Sequence, residues 1–408
     1  MIRTGTDIVE ISRFTQMKRL DSFKKKVFTE RELEYILKAK NSFESIAGAF
    51  AAKEAFSKFL GSGVRGFNLR DIEVLHNPDG KPYLCFKGFP VDADVSISHS
   101  DYVAVAVVCG ENADYLPLPK DCRQYAKLLP RRFPDMHKGD CGRVFIVAGS
   151  VGMTGAACLC SKAAMRCGSG LVTLGTPECV QPVAATSMYE VMTLPLPCKD
   201  GMLSSDSIEI ITKNVQKNDV CAIGPGLGKT ESILKIVSAI LKESTPCVID
   251  ADALNALSGN TDILKSKNCE VVITPHPAEM ARLTNLTIDE INSRREDVAK
   301  NFAKEYNCIV VLKGNKTVIA SPDGDVRINN SGNSGMASGG MGDVLTGVIA
   351  SFTGQGCPLF DAATLGVFIH GLAADIAATR LGEFGLIASD VIGSLPFAIM
   401  KTQHLHQS

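Results

Sequence analysis

The sequence predicts a small α+β domain followed by a larger α/β domain. Two observations carry this. Up to about residue 110 the segments are short and charge-rich. Beyond about residue 140 they become long, Gly/Ala-rich alternations of apolar strand-like and helix-like runs, the pattern of a mostly parallel sheet covered on both faces. A third agrees with them: several apolar runs in the second half end in glycine turns that open a helix, and ligands gather at such carboxyl ends.

A chain of 408 residues suggests two or three domains, or one small and one large. Few aromatic residues, no Trp, and abundant Gly, Ala, Val and Ile suit buried parallel strands. A formal net charge of −1 supplies no global field for nucleic acid or a membrane surface. No apolar stretch reaches about 18 residues, so no bilayer span is expected. Asp7 and Glu10 interrupt any signal-peptide pattern. The 14 cysteines are scattered without a Cys-x-x-Cys; Cys221, Cys247 and Cys308 read as small core residues of a reduced, cytoplasmic protein.

The first domain is expected over 1–112. It reads as a strand at 2–7, helices near 11–20, 30–38 and 43–60, and strands at 72–76, 82–86, 93–98 and 103–108. Gly61 ends the third helix, and Asn77-Pro-Asp-Gly80 is a hairpin turn. A proline-stiffened linker is expected at 113–124. The second domain, 125–400, is expected to place strands at 143–148, 171–175, 219–223, 246–250, 270–273, 308–312 and 317–320. Its helices are expected at 154–167, 230–242, 253–258, 277–283, 288–306, 343–352 and 360–379. The polar tail from about Lys401 is expected to fray.

In the first domain, Asp7 ends an apolar strand and Glu54 sits among alanines in Ala51-Ala-Lys-Glu-Ala55. A hard cation held by both would satisfy them; the alternative is a Glu54–Lys58 pair on a solvated face. His99, taken alone, reads as structural. Gly5-Thr-Asp-Ile-Val-Glu-Ile11, Arg13-Phe14, Phe28-Thr-Glu30, Phe50-Ala-Ala-Lys-Glu-Ala-Phe56 and Ser96-Ile-Ser-His-Ser100 together resemble holo-[acyl-carrier-protein] synthase, a 4′-phosphopantetheinyl transferase. The resemblance covers about residues 1–110. It implies transfer of 4′-phosphopantetheine from coenzyme A to a serine of acyl carrier protein. It implies Asp7 and Glu54 as Mg²⁺ ligands, Glu54 as a catalytic residue, and Lys53, Lys58 and His99 as further candidates for CoA phosphate contacts. It also implies trimers, hence a homo-oligomer. Residues 13–26 carry six basic side chains against Asp21, which suits an acidic carrier protein or a plain solvated face.

In the second domain the richest segment is Gly335-Met-Ala-Ser-Gly-Gly-Met-Gly-Asp343, followed by an apolar run. A glycine turn that opens a helix aims free N–H groups at one spot, and a carboxylate beside it could take a proton from a hydroxyl while a phosphate is held. The plainer reading is a Gly-rich loop with Asp343 as a cap. Val147-Ala-Gly-Ser-Val-Gly-Met-Thr-Gly-Ala156, Ala222-Ile-Gly-Pro-Gly226, Asp250-Ala-Asp252, Thr274-Pro-His276-Pro-Ala-Glu279 and Lys313-Gly-Asn-Lys-Thr317 add glycine turns, carboxylates, a histidine and a cation at strand ends.

In this order they resemble the ADP-dependent NAD(P)H-hydrate dehydratases, of ribokinase-like fold. The resemblance implies repair of NADHX and NADPHX, the hydrated forms of NADH and NADPH. Ala156, Gly226, His276 and Asp343 would contact the hydrated nucleotide. Lys313, Gly314, Asn315, Lys316, Thr317 and Gly342 would hold the adenine nucleotide, ADP or ATP, with Mg²⁺. Asp343 would be the catalytic base. The alternatives are a small-molecule kinase of the same superfamily, or one domain serving as a scaffold. The companion epimerase is expected on a separate chain.

Overall fold

The structure, a computed structural model, describes residues 2–38, 42–61, 67–77, 79–86, 89–91, 93–110 and 123–404. Most of the expected linker, and the tail beyond His404, lie outside these residues. The chain divides into two compact units, 1–118 and 119–407.

In the N-terminal unit an antiparallel sheet runs in the order Arg3–Glu10, Val103–Gly110, Asp94–His99. Helix Ser42–Phe59 lies across it. Nearly all sides of this helix are buried, and its alanines leave room for close packing. Gly5 makes the approach possible: a Cβ there would lie 2.0 Å from the Ala55 carbonyl oxygen. A second sheet pairs Ile72–His76 with Pro82–Phe86 and Phe89–Pro90.

The expected helix 11–20 is instead two, Ser12–Thr15 and Leu20–Val27. Phe14 and Phe23 both pack on Phe50, at 5.9 and 5.5 Å between ring centroids. Nine residues apart, they would face opposite sides of one continuous helix. Only a break brings both onto the same ring.

In the C-terminal unit a nine-stranded sheet runs in the order Val326–Ile328, Val318–Ala320, Ile309–Leu312, Val271–Ile273, Cys247–Ile249, Val220–Ile223, Arg143–Val147, Leu171–Pro177, Met192–Leu196. The last seven are parallel; the first two add antiparallel at one edge. Chain direction across the sheet reverses between Arg143–Val147 and Val220–Ile223, which is where an open α/β sheet forms its crevice. Apolar layers fill both faces.

Several elements depart from the expected set. Strands Met192–Leu196 and Val326–Ile328, ribbon Cys198–Leu203, and helices Gln181–Ser187, Ile208–Val215 and Ala388–His404 are additional. Helix Ala388–His404 contains Pro396, a residue that reads as a helix breaker, and it carries the chain past the point where fraying was expected. The expected helix 288–306 breaks at Arg294, whose φ and ψ of −144° and 50° are not helical. Helix Leu359–Leu381 is long and apolar enough to cross a bilayer, which corrects the expectation that no stretch reaches that length. Here it is a core helix, with 78% of its most apolar window buried.

Candidate active sites

At the crevice of the C-terminal unit the two flanking strands end in glycine turns. The Gly149 N–H donates to the Pro225 carbonyl at 2.9 Å, and Ser150 Oγ to the Gly226 carbonyl at 2.8 Å. Gly224 crosses so close to the next strand that a Cβ would lie 1.8 Å from the Asp250 carbonyl oxygen. A Cβ on Gly226, whose φ is +62°, would lie 3.1 Å from the Ala156 Cβ. Met153 packs closer still, its carbonyl oxygen 2.8 Å from that Cβ position, so Ala156 and Gly226 meet in one patch beside Met153.

Asp250 follows strand Cys247–Ile249 and is 1% exposed. Its carboxylate accepts from Lys313 Nζ at 2.6 Å and from Thr346 Oγ1 at 2.8 Å. Lys313 Nζ also lies 3.6 Å from Glu279 Oε2. Burial works against its charge, but Asp250 and Glu279 more than offset this and hold the ammonium above its ordinary pKa. Gly342 faces this cluster: a Cβ would lie 3.3 Å from Lys313 Nζ.

Helix Met341–Gly354 begins there, behind Gly340 at φ +89°. Its first N–H groups have no intrahelical acceptor and form an anion hole. Asp343 stands in this first turn, pushed up to about 7 by burial first and by the nearby Asp250 carboxylate second. A carboxylate poised near neutrality suits proton transfer.

His276 caps helix Pro277–Thr284. Its Nδ1 accepts from the N–H groups of Ala278 and Glu279 at 3.0 and 3.2 Å, while Glu279 bonds back to the His276 N–H. With Nδ1 an acceptor, the proton of the neutral ring sits on Nε2. Burial lowers the imidazole pKa, keeping it neutral.

Segment 314–317 is the tight turn between strands Ile309–Leu312 and Val318–Ala320, with Thr317 Oγ1 bonded to the Gly314 carbonyl at 3.0 Å. Arg295 pins it by donating to the carbonyls of Leu312 and Lys313 at 2.7 and 3.1 Å. Arg294, Arg295, Asn315 and Lys316 line a groove of about 470 Å³.

The sequence reading gave no role to Asp250, Glu279, Thr346 or Arg295. Glu279 was marked by its three-residue spacing from the capping His276. Asp250 was marked as a strand-end carboxylate without its partners; Thr346 and Arg295 become visible only in the folded chain.

In the N-terminal unit the structure gathers Asp7, Glu54 and Lys58. Lys58 Nζ bonds Asp7 Oδ1 at 2.8 Å, so it pairs across to the strand rather than along its helix to Glu54. Burial first, then Asp7, raises the Glu54 carboxyl pKa. A half-buried carboxyl beside a second carboxylate fits a divalent cation, with water and substrate oxygens completing its shell. Among the described residues no group of three or more His, Cys, Asp or Glu forms a fuller metal site.

Lys53 does not fit the phosphate contact expected of it. Its side chain is fully buried, and its ammonium donates to Glu32 Oε2 at 2.8 Å and to the carbonyls of Val27, Leu69 and Ile72. His99 stands beside Glu44, at 3.6 Å. Glu44 and Glu54 are ten residues apart on one helix, roughly 15 Å, so one subunit leaves His99 outside the Asp7–Glu54 cluster.

Fold and site define a ribokinase-like α/β domain carrying a largely buried carboxyl group beside an anion hole, preceded by a smaller α+β domain. Residues 144–396 match the NAD(P)H-hydrate dehydratase family, and residues 3–108 the 4′-phosphopantetheinyl transferase superfamily. A bifunctional NAD(P)H-hydrate repair enzyme of Moorella thermoacetica is 44% identical over 277 residues, 67% of this chain and 52% of that protein. The chain thus spans about half the length of that relative. An ADP-dependent (S)-NAD(P)H-hydrate dehydratase of Neisseria meningitidis is 36% identical over 66% of this chain and 88% of its own length. The crystal structure of an ADP/ATP-dependent NAD(P)H-hydrate dehydratase from Bacillus subtilis, co-crystallised with ATP and Mg²⁺, superposes with a TM-score of 0.60 at 32% identity, covering 69% of this chain and 97% of that one. The chain belongs to the NAD(P)H-hydrate dehydratase family.

Proposed function

We propose that the C-terminal unit dehydrates (6S)-NAD(P)H hydrate to NAD(P)H at the expense of ADP, and that the N-terminal unit transfers 4′-phosphopantetheine from CoA to acyl carrier protein. The observation that carries the first reading is Asp343, held near neutrality at the mouth of an anion hole.

The hydrated ring lies on the Ala156–Gly226 patch, with neutral His276 offering its Nε2–H. Ionised Asp343 takes the proton of the C6 hydroxyl as that oxygen attacks the terminal phosphoryl group. The free N–H groups at 340–342 receive the charge of the transferring oxygens. Lys313, Gly314, Asn315, Lys316, Thr317 and Gly342 hold the adenine nucleotide. Lys313 carries the cation to it, anchored by Asp250. AMP is displaced in that transfer; phosphate then leaves C6, pushed out by the ring nitrogen, and loss of a proton from C5 of the resulting iminium restores the dihydropyridine. Bound Mg²⁺ supplies charge neutralisation on the phosphates.

In the N-terminal unit Asp7 and Glu54 would hold Mg²⁺ at the CoA pyrophosphate, with Lys58 as the adjacent phosphate cation. His99 would reach such a site only from a neighbouring subunit of a homo-oligomer. An epimerase on a separate chain would supply the reactive epimer.

The deciding experiment is absorbance at 340 nm when protein is added to NADH hydrate with Mg²⁺ and ADP, ATP or no nucleotide. Recovery with ADP is expected. Accumulation of a phosphorylated product without recovery would replace this reading with a kinase.

The basic run Arg13, Lys18, Arg19, Lys24, Lys25 and Lys26 would steer an acidic carrier protein. Charge reversal at Arg13 and Lys24 is expected to raise the KM for carrier protein more than that for CoA. Equal effects on both would refute the docking role.

A further inference from the structure

Away from these catalytic groups, two thiols meet at the carboxyl edge of the large sheet. The Cys179 and Cys198 Sγ atoms lie 3.5 Å apart. Cys179 is exposed and Cys198 half-buried, so a small reagent reaches them. Cys179 follows strand Leu171–Pro177, and Cys198 opens the ribbon in which Cys198 pairs with Leu203 and Lys199 with Met202. A disulfide needs an S–S distance of about 2.05 Å, so closure asks for a modest approach of two surface segments. Cys221 and Cys247, paired in register on neighbouring strands, offer a contrast. Both are fully buried, and hydrogen bonding to Cys221 together with burial pushes the Cys247 thiol far up, out of reach of thiolate chemistry.

The ribbon is tied to the crevice. Its tip residue Gly201 accepts from the Val151 N–H at 3.0 Å. Val151 packs so closely that a Cβ on Gly201 would lie 2.5 Å from Val151 Cγ2. The next residue, Met202, places Sδ 2.6 Å from where a Cβ of Gly228 would sit. Val151 follows Ser150, and Gly228 follows Gly226 by two, so the ribbon touches both loops that frame the Ala156–Gly226 patch.

We propose that Cys179 and Cys198 are a reversible redox-modification site that forms an intramolecular disulfide by exchange with a low-molecular-weight disulfide, and that closure is felt at the substrate loops. One cysteine thiolate attacks the small disulfide and displaces one small thiolate, leaving a mixed disulfide. The second cysteine thiolate then attacks the protein sulfur of that mixed disulfide and releases the other small thiol. The two cysteines lose two protons and two electrons, and the small disulfide is reduced to two thiols. Burial and the neighbouring Cys198 raise the Cys179 thiol pKa, so the reaction quickens as pH rises.

The effect on the substrate loops rests on the proposed dehydratase function; the cross-link itself does not. The full chain is incubated folded with glutathione disulfide, alkylated, digested and mapped by mass spectrometry. The expected product is a Cys179–Cys198 linked peptide lacking two hydrogens, reversed by dithiothreitol and absent from Cys179→Ser and Cys198→Ser variants. Hydrogen exchange at the Val151 amide should change on oxidation. The KM for the hydrated nucleotide should shift several-fold while that for adenine nucleotide stays constant. Glutathione adducts without the link, or no reaction, would overturn the site. A link that leaves Val151 exchange unchanged would overturn the coupling, whether or not the protein proves to be a dehydratase.

Discussion

Asp343→Asn is expected to lower kcat for hydrate repair by ~10²–10⁴-fold, the usual worth of a positioned general base, with nucleotide affinity nearly unchanged. The amide keeps the shape of the side chain but cannot accept the hydroxyl proton. In the parent protein, turnover should rise with pH through about 7 as Asp343 ionises. The same group makes a stability prediction of defined sign. Its folded pKa, about 7, lies above the ordinary 3.8. Below the ordinary value it is protonated in both states and costs nothing. As pH rises from there to about 7 the unfolded chain ionises more readily than the folded one, and stability is lost. Above about 7 the cost is complete, on the order of a few kcal/mol. Asp343→Asn removes that cost. The Tm of the variant should exceed the parent's by a margin that grows toward neutral pH and then levels off. Thermal melts on both sides of 7, with steady-state kinetics, check both statements; retained turnover would remove Asp343 from the base role.

Lys53→Met is expected to destabilise the N-terminal unit by about 3–5 kcal/mol, because it leaves one partner of a buried ion pair uncompensated. Glu32 would keep its hydrogen bonds from the Thr29 and Val74 N–H groups but lose its cation. The carbonyls of Val27, Leu69 and Ile72 would lose their shared donor. Hydrogen exchange of strand Val103–Gly110 under increasing urea measures the loss. The double variant Lys53→Met/Glu32→Leu should recover much of it, since a well-packed apolar pair replaces a buried ionic one at little net cost. Lys58→Ala, five residues on and half-exposed, should leave exchange nearly unchanged. A Lys53→Met protein as stable as the parent would return Lys53 to the list of phosphate contacts.

These two lysines show where sequence reasoning stopped. Both stand in one helix beside the same glutamate, and both looked available to a phosphate. The sequence cannot tell which points at solvent. That is decided by which face of the helix packs inward: Lys53 turns in to Glu32, while Lys58, near where Gly5 lets the helix approach the strand, reaches Asp7.

Local order was legible wherever period and punctuation agreed. Strand Arg143–Val147 with its glycine turn, the capped helix after His276, and the glycine-fronted helix of Asp343 each form within a dozen residues, and their chemistry could be read along the chain. Strand Met192–Leu196 and helix Ala388–His404 were illegible because each contains proline and is held by its neighbours rather than by its own pattern.

By itself, then, the sequence determined the two-domain plan, the glycine turns and the placing of Asp343 at the glycine-fronted helix start, because these rest on backbone freedom and short-range periodicity. Only the tertiary structure decided that Asp250 anchors Lys313, that Arg295 pins the 314–317 turn, and that Cys179 meets Cys198. Those partners lie 17 to 63 residues apart along the chain. Their contact is set by the order of strands in the sheet, which no local pattern encodes.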